Sequence, residues 1–316
     1  MIEPLQHLLV PLDGSRLAEA VLPPAFAIAT ACGSTFTLLH VIEHQAPKTV
    51  HGEPHLHDLP AATSYLDGVS NRFAQSGVPV ESHVHPNEEH DVARSIAEHA
   101  DELGADLILL ATHGSGGVRD LLFGSIAQQV LQQSTKPVLL VRPEHAYPEG
   151  FRYQSIMVPL DGTADAEMVL PMAVMLASRT GARLHLVRVV PTRSTLPGTS
   201  GAVATFLPGA TSALLEIEGR EARDYLDALK RRLPDVTSVE VRRGDVAREL
   251  AGAATGIGAD LIMMSTHGRA GIESYWAGSI AARILARYSQ PLLLMRIRQN
   301  GVVNPDSDLE GRETRV

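Results

Sequence analysis

The sequence predicts an α/β protein built from two tandem, doubly wound, open parallel five-stranded sheets, each in the strand order 3-2-1-4-5 and related by an internal pseudo-twofold. Two observations lead there. The chain repeats itself: Leu8–Ser15, LLVPLDGS, returns 148 residues later as Ile156–Thr163, IMVPLDGT, and Leu107–Leu131 returns 154 residues later as Leu261–Leu285. Within each copy, short continuous apolar runs alternate with stretches of helical spacing, the pattern of parallel strands covered on both faces by crossover helices. A period of about 145 residues is a duplicated domain, since a solenoid repeats every ~20–50.

The elements follow in order. In the first copy the strands are HLLVPL, TFTLLHVI, VPVESHV, DLILLAT and PVLLVR, with helices expected over 16–31, 61–76, 89–103 and 124–133. The second copy supplies SIMVPL, RLHLVRVV, SVEVRR, DLIMMST and PLLLMR. The offset grows from 148 to 154 between the two landmarks, so six extra residues lie in the middle of the second copy. The domains are therefore expected at 1–145 and 151–300, joined near PEHAYPEG. The polar, aperiodic stretch 301–316 is expected to be disordered. The fifth strands are apolar sheet edges that must be covered, which predicts that the two copies pair through them as an intramolecular pseudo-dimer. Further homodimerisation is left open.

Composition narrows the function classes. Net charge is −9, divided unevenly: residues 1–145 hold 7 Lys and Arg against 17 Asp and Glu, a net of −10, whereas 151–300 hold 18 against 14, a net of +4. No basic patch interleaves with aromatics, so no nucleic-acid partner is expected. No apolar run reaches the ~18 residues that span a bilayer, and the first fifteen residues lack a basic n-region, so neither a membrane partner nor a secretory signal is expected. Cys32 is the only cysteine. An intrachain disulfide is thus impossible, which agrees with a reducing, cytoplasmic location.

The repeated loop carries the chemistry. Each copy reads Thr-His-Gly, nine residues, then Gly-Ser-Ile-Ala, with Gly114, Gly124, Ser125 and Ile126 in the first and Gly268, Gly278, Ser279 and Ile280 in the second. It begins at the carboxyl end of strand four, the edge where open parallel sheets bind ligands, and ends at a helix start, whose free N–H groups and dipole favour a phosphate. Pro11, Leu12 and Asp13, and Pro159, Leu160 and Asp161, stand at the carboxyl end of strand one, facing the same crevice. The plainer alternative makes the glycines turn residues, Ser125 and Ser279 N-caps, and Asp13 a cap of helix 16–31.

These motifs resemble the universal stress protein family, twice over nearly the whole chain and in the manner of its tandem members. The family's Gly-x2-Gly-x9-Gly-Ser/Thr motif is present except at the first glycine, which is Ala111 here and Ser265 in the second copy. The resemblance implies an adenine nucleotide, ATP or else AMP or ADP, as cofactor. Asp13 with Val41, and Asp161 with Val189, would hold adenine and ribose, and the glycine loops the phosphates. Arg269, where the first copy has Ser115, makes the second domain the favoured site, because a guanidinium donates to phosphate oxygens.

Other chemistry has less support. His44, His51, His55 and His57 read as a solvated loop, with a metal site the open alternative. His83, His85 and His90 read as isolated, and Cys32 as a small buried apolar residue. No nucleophile elbow or carboxylate pair suggests a catalytic residue. The expected function is a nucleotide-regulated stress-response protein. A nucleotide-free interaction module of the same fold, and a slow ATPase or adenylyl-transferring enzyme, are the alternatives.

Overall fold

The computed structural model describes residues 5–44, 47–112, 124–148, 150–196, 206–267 and 280–297. The first half runs β1 (His7–Pro11), α1 (Arg16–Glu19), α2 (Leu22–Cys32), β2 (Thr35–Glu43), a hairpin of β3 (Thr49–Val50) and β4 (Glu53–Pro54), α3 (Leu59–Asn71), β5 (Val80–Glu89), α4 (Val92–Glu102), β6 (Leu107–Ala111), α5 (Ser125–Gln133) and β7 (Val138–Val141). The second runs β8 (Ser155–Pro159), α6 (Ala164–Glu167), α7 (Leu170–Thr180), β9 (Arg183–Val190), α8 (Pro208–Arg232), β10 (Val236–Arg243), α9 (Val246–Ile257), β11 (Leu261–His267), α10 (Ile280–Leu285) and β12 (Leu292–Ile297). The 301–316 tail lies outside the described residues.

Among the described residues, ten strands form one sheet in the order β10-β9-β8-β11-β12-β7-β6-β1-β2-β5. Within each half the principal strands pair parallel in the order 3-2-1-4-5. At the centre β7 and β12 pair antiparallel, with Leu139 opposite Leu293 and Leu140 opposite Leu292. The two apolar edges thus cover each other, and the strands of the two halves run in opposite directions. Their carboxyl ends therefore lie on opposite edges of the common sheet. Arg142 after β7 donates to Leu285 O at the end of α10 at 3.1 Å, and Arg296 on β12 reciprocates to Gln132 O near the end of α5. Each guanidinium meets carbonyls left unpaired at a helix C-terminus.

Strand alternation divides the core between the two faces. Leu8, Val10, Leu38, Leu139 and Leu293 pack with α2, α3, α7 and α8, while Leu9, Leu39, Leu140 and Leu292 pack with α4, α5, α9 and α10. Gly104-Ala105-Asp106 recurs as Gly258-Ala259-Asp260, and the aspartate has a physical role in both. Asp106 accepts from the amides of Gln6 and His7, and Asp260 from those of Gln154 and Ser155, at 2.7–3.1 Å. Each carboxylate fastens the start of strand one to the start of strand four.

Three local expectations are corrected. Helix 16–31 is two helices, because Pro23 and Pro24 open α2 and cannot continue α1. The helix expected from 89 starts at Val92, where Asp91 accepts from Arg94 N at 2.9 Å; β5 runs as far as Glu89. The segment after β2, expected as loop, contains the hairpin of β3 and β4.

Candidate functional site

A cleft of about 210 Å³ opens at the carboxyl ends of β1, β2 and β6. It brings together Pro11, Leu12, Asp13, Val41, Ala111, Gly124, Ser125 and Ile126, the sequence-predicted residues of the first half other than Gly114. Its walls are largely apolar, with Leu39, Val50, Ile96 and Leu110 among them. Gly114, Gly268, Arg269, Gly278 and Ser279 lie outside the described residues, as do His113 and Trp276.

Backbone geometry sets the polar groups. Pro11 ends β1 opposite Leu39, and Leu12 N donates to Leu39 O at 2.8 Å, so the chain leaves the sheet one residue before Asp13. Gly14 then turns through φ +91°, and Ser15 N–H and Oγ–H donate to Asp13 Oδ1 at 2.9 and 2.7 Å. The cap of α1 is Ser15, whose Oγ accepts from Ala18 N, and not Asp13 as the plainer sequence reading had it. Asp13 keeps Oδ2 toward the cleft, 3.9 Å from His51 Nε2.

At the other wall, the N-cap of α5 is Gly124, with no side-chain cap, and Ser125 is the first helical residue. The reading of Ser125 as N-cap is therefore corrected. Gly124 has φ −55°, a conformation open to any residue, so its value there is the missing side chain. Gln128 N is the first to bond back, to Gly124 O at 3.0 Å. The amides of Ser125, Ile126 and Ala127 precede it at the cleft, the arrangement in which a helix start receives an anion.

Lys48, Thr49, Gly52, Pro54 and His57 of the histidine-rich segment are exposed, as in a solvated loop, but part of the segment roofs this cleft. His51 and His55 line it from the hairpin of β3 and β4, with side chains 18% and 6% exposed. His55 Nε2 lies 3.7 Å from Glu43 Oε2; burial pushes its imidazole below the ordinary value, and Glu43 pulls the other way. Leu56 lies over Gly14, where an added Cβ would come within 2.9 Å of it, and Glu53 accepts from Arg16 N at 3.1 Å.

The other histidines are also not isolated. His44 and His90 have ring centroids 4.1 Å apart, and His83 and His85 each lie 5.0 Å from His99, whose Nε2 is 3.3 Å from His85 Nδ1. Among the described residues, no group of three or more His, Cys, Asp or Glu side chains is arranged to hold a metal. Cys32 is buried, and burial pushes its thiol pKa up, away from nucleophilic character.

The second half repeats the turn. Leu160 N donates to Val187 O at 2.8 Å, Gly162 has φ +93°, and Thr163 N–H and Oγ1–H donate to Asp161 Oδ1 at 2.9 and 2.7 Å. Pro159, Val189 and Ser265 stand at the carboxyl ends of β8, β9 and β11, and Ile280 opens α10. The cover differs. Arg188 occupies the strand position of His40, stacks over Tyr225 at 5.4 Å and lies against Gly162 where Leu56 lies against Gly14.

The sequence reading missed one constellation altogether. Glu19, at the end of α1, accepts from Tyr65 OH at 3.1 Å and from Arg72 Nη2 at 2.7 Å. Glu167, at the end of α6, accepts from Tyr225 OH at 3.0 Å and Arg232 Nη2 at 2.5 Å. The only signal in the sequence was the repeated Ala-Glu after the Asp-Gly-Ser/Thr turn.

With this geometry in hand, comparisons place the chain among known proteins. The model of the Universal stress protein family matches residues 4–142 and again 152–296. The universal stress protein YxiE of Bacillus subtilis is 29% identical over 147 residues, 43% of this chain and 97% of its own. A universal stress protein of Mycolicibacterium smegmatis is 23% identical over 305 residues, 92% of this chain and 97% of its own. In fold, the chain is like a universal stress protein from Archaeoglobus fulgidus, with TM-score 0.62 at 17% identity, covering 93% of this chain and 97% of that one.

Proposed function

The chain belongs to the universal stress protein family as a tandem two-domain member, and from that premise we propose that it binds an adenine nucleotide as a regulatory ligand in the cytoplasm. The observation that carries the proposal is the cleft that gathers Asp13, Val41, Ala111, Gly124 and Ser125 at the carboxyl ends of the first half's strands. Its apolar walls suit the faces of a purine. Asp13 Oδ2 accepts from a ribose hydroxyl, and the amides at the start of α5 receive phosphate oxygens. The described lining contains no Lys or Arg, and what it offers a phosphate is those amides and the helix dipole.

The second half binds the same class of ligand at Asp161, Val189, Ser265 and the loop to Gly278, with Arg269 adding a charge-assisted contact that makes it the tighter site. The ligand biases conformation or association, and no residue is assigned a bond-breaking role. Among the described residues, no helix is long and apolar enough to cross a membrane.

Titration calorimetry of the full chain with ATP and with AMP tests the proposal, using Asp13→Ala, Asp161→Ala, Gly124→Val and Gly278→Val. Valine at either glycine puts a branched side chain at the anion site, and binding to that half falls while the fold persists. Absence of binding with either nucleotide would favour a nucleotide-free module, and unchanged affinity in both glycine variants would make the glycines turn residues only. Loss of the tightest binding in Asp13→Ala but not Asp161→Ala reverses the ranking of the two sites.

A further inference from the structure

We propose that Glu19, with Tyr65 and Arg72, is a positioning group that fixes Asp13 at the mouth of the first cleft, and that Glu167, with Tyr225 and Arg232, does the same for Asp161. The nucleotide reading above is needed only for the ligand arm of its test.

The argument begins with α1 and α6. Each has four residues, too few to be stable alone, because helix nucleation is unfavourable and only longer helices recover its cost. Each begins at the turn in which the aspartate accepts from the amide and hydroxyl two residues on. The place of that carboxylate is therefore set by whatever holds the short helix. Its C-terminal end is held by a tyrosine and an arginine, Tyr65 of α3 and Arg72 at its C-cap in the first half, Tyr225 and Arg232 of α8 in the second. Glu19 Oε1 takes the Tyr65 hydroxyl and Oε2 the Arg72 guanidinium; Glu167 divides its oxygens between Tyr225 and Arg232 in the same way.

The second line is that the constellation re-forms across an unequal insertion. Glu19 and Tyr65 are 46 residues apart, Glu167 and Tyr225 58; Glu19 and Arg72 are 53 apart, Glu167 and Arg232 65. Twelve residues intervene additionally in the second half, and the roof over the turn changes from Leu56 to Arg188. The aspartate turn and the Tyr–Glu–Arg set come through together with closely matching distances.

The third line is energetic. The arginine side chains are 51% and 61% exposed, and ion pairs that open to water add little to global stability. The hydroxyl contacts are more sheltered: burial first, and the glutamate second, push both tyrosine hydroxyls well above their ordinary pKa. The set is thus better suited to fixing geometry than to holding the domain folded. In the first half α1 is held at its other end too, by Glu53 of the hairpin, so roof and carboxylate share one support.

The test uses full-length chain with Glu19→Ala and, as a milder change at an exposed guanidinium, Arg72→Met. Amide hydrogen exchange at Ser15, whose N–H donates to Asp13 Oδ1, reads the turn without any ligand. Protection at Ser15 is expected to fall roughly tenfold in Glu19→Ala while Leu9 and Val10 of β1 keep theirs. ATP affinity at the first site is expected to drop about tenfold, equivalent to ~1.4 kcal/mol, and Glu19→Ala is expected to add nothing in an Asp13→Ala background. Unchanged Ser15 protection in both variants overturns the proposal. So does an affinity loss of equal size with and without Asp13, which is what a merely structural role gives. If Glu19→Ala also strips protection from β1, Arg72→Met decides. A chain that binds neither ATP nor AMP refutes the nucleotide reading, and the exchange measurement still decides the positioning role.

Discussion

The seam between the halves is the most demanding feature to perturb. Leu139 on β7 and Leu293 on β12 face each other across the antiparallel pair, and both are fully buried. Truncating either to alanine removes three carbons. At about 0.8 kcal/mol for each buried methylene, the transfer term is ~2.4 kcal/mol. The seam is clamped from both sides by Arg142 and Arg296, so the strands have little room to collapse, and the cavity term raises the expected loss to about 3–5 kcal/mol for each residue. The two leucines pack in one cluster on one face of the sheet, so their cavities merge. The double variant is expected to deviate from additivity by ~0.5–3 kcal/mol. Urea unfolding followed by far-ultraviolet circular dichroism gives all four corners of the cycle. A single-variant loss below ~1 kcal/mol, or coupling indistinguishable from zero, would refute the view that these strands form one packed core.

Other outcomes follow from the same geometry. Residues 1–145 and 151–300, expressed separately as the proposed domains, each expose a β7 or β12 edge and are expected to self-associate or to recombine when mixed; sedimentation showing two inert monomers would contradict this. Gly14→Ala meets both a φ of +91° and Leu56, whereas Gly33→Ala, at φ +71° with open space around it, meets the backbone cost alone. Gly33→Ala should cost ~1–2 kcal/mol and Gly14→Ala more, with faster proteolysis in the 49–54 hairpin; equal melting curves would show that Leu56 does not press on the turn. Burial lowers the His55 pKa, so the hairpin with His55 exposed binds a proton more readily than the docked hairpin. Docking is therefore at full strength above ~6.5 and weakens as pH falls below it. Hydrogen exchange of the hairpin amides from pH 7.5 to 5, corrected for intrinsic rates, should show earlier opening in acid, and His55→Gln should flatten the profile.

How much of this was legible in the sequence depends on the range of the interactions. The β1 strand HLLVP and the β6 strand LILLA are continuous apolar runs, which makes them legible as parallel strands covered on both faces, and the apolar fifth strands are legible as edges in need of a partner; the order 3-2-1-4-5 is not dictated by the runs themselves. Asp13 and Gly124 were legible because each sits at a strand end or helix start that the repeat marks twice, whereas Val41, inside β2, came only from the family resemblance. The break after Glu19 was written in Pro23–Pro24 but masked by a helical period that carries across it. The 49–54 hairpin was not legible: two-residue strands leave no alternation, and HGEP between them looks like any polar turn. The Tyr–Glu–Arg set was hidden by distance, since its partners lie 46 and 53 residues from Glu19 and shift relative to the repeat offset in the second half. Ser125 was misplaced by one residue because a serine at a helix start reads as a cap, whereas Gly124 holds that place.

The antiparallel join of β7 and β12 has a consequence for how the molecule can change over time. Two separate chains meeting through such strands would come apart on dilution. Here the segment 142–154 tethers the edges, and short tethers hold their ends at effective concentrations in the millimolar range. The contact is then independent of how much protein is present. Identical subunits would also carry every substitution twice, once at each end of the assembly. A fused pair is free of that symmetry, so histidine can stay at position 40 while arginine occupies the matching place at 188. The two ends can drift toward different affinities without either losing its partner.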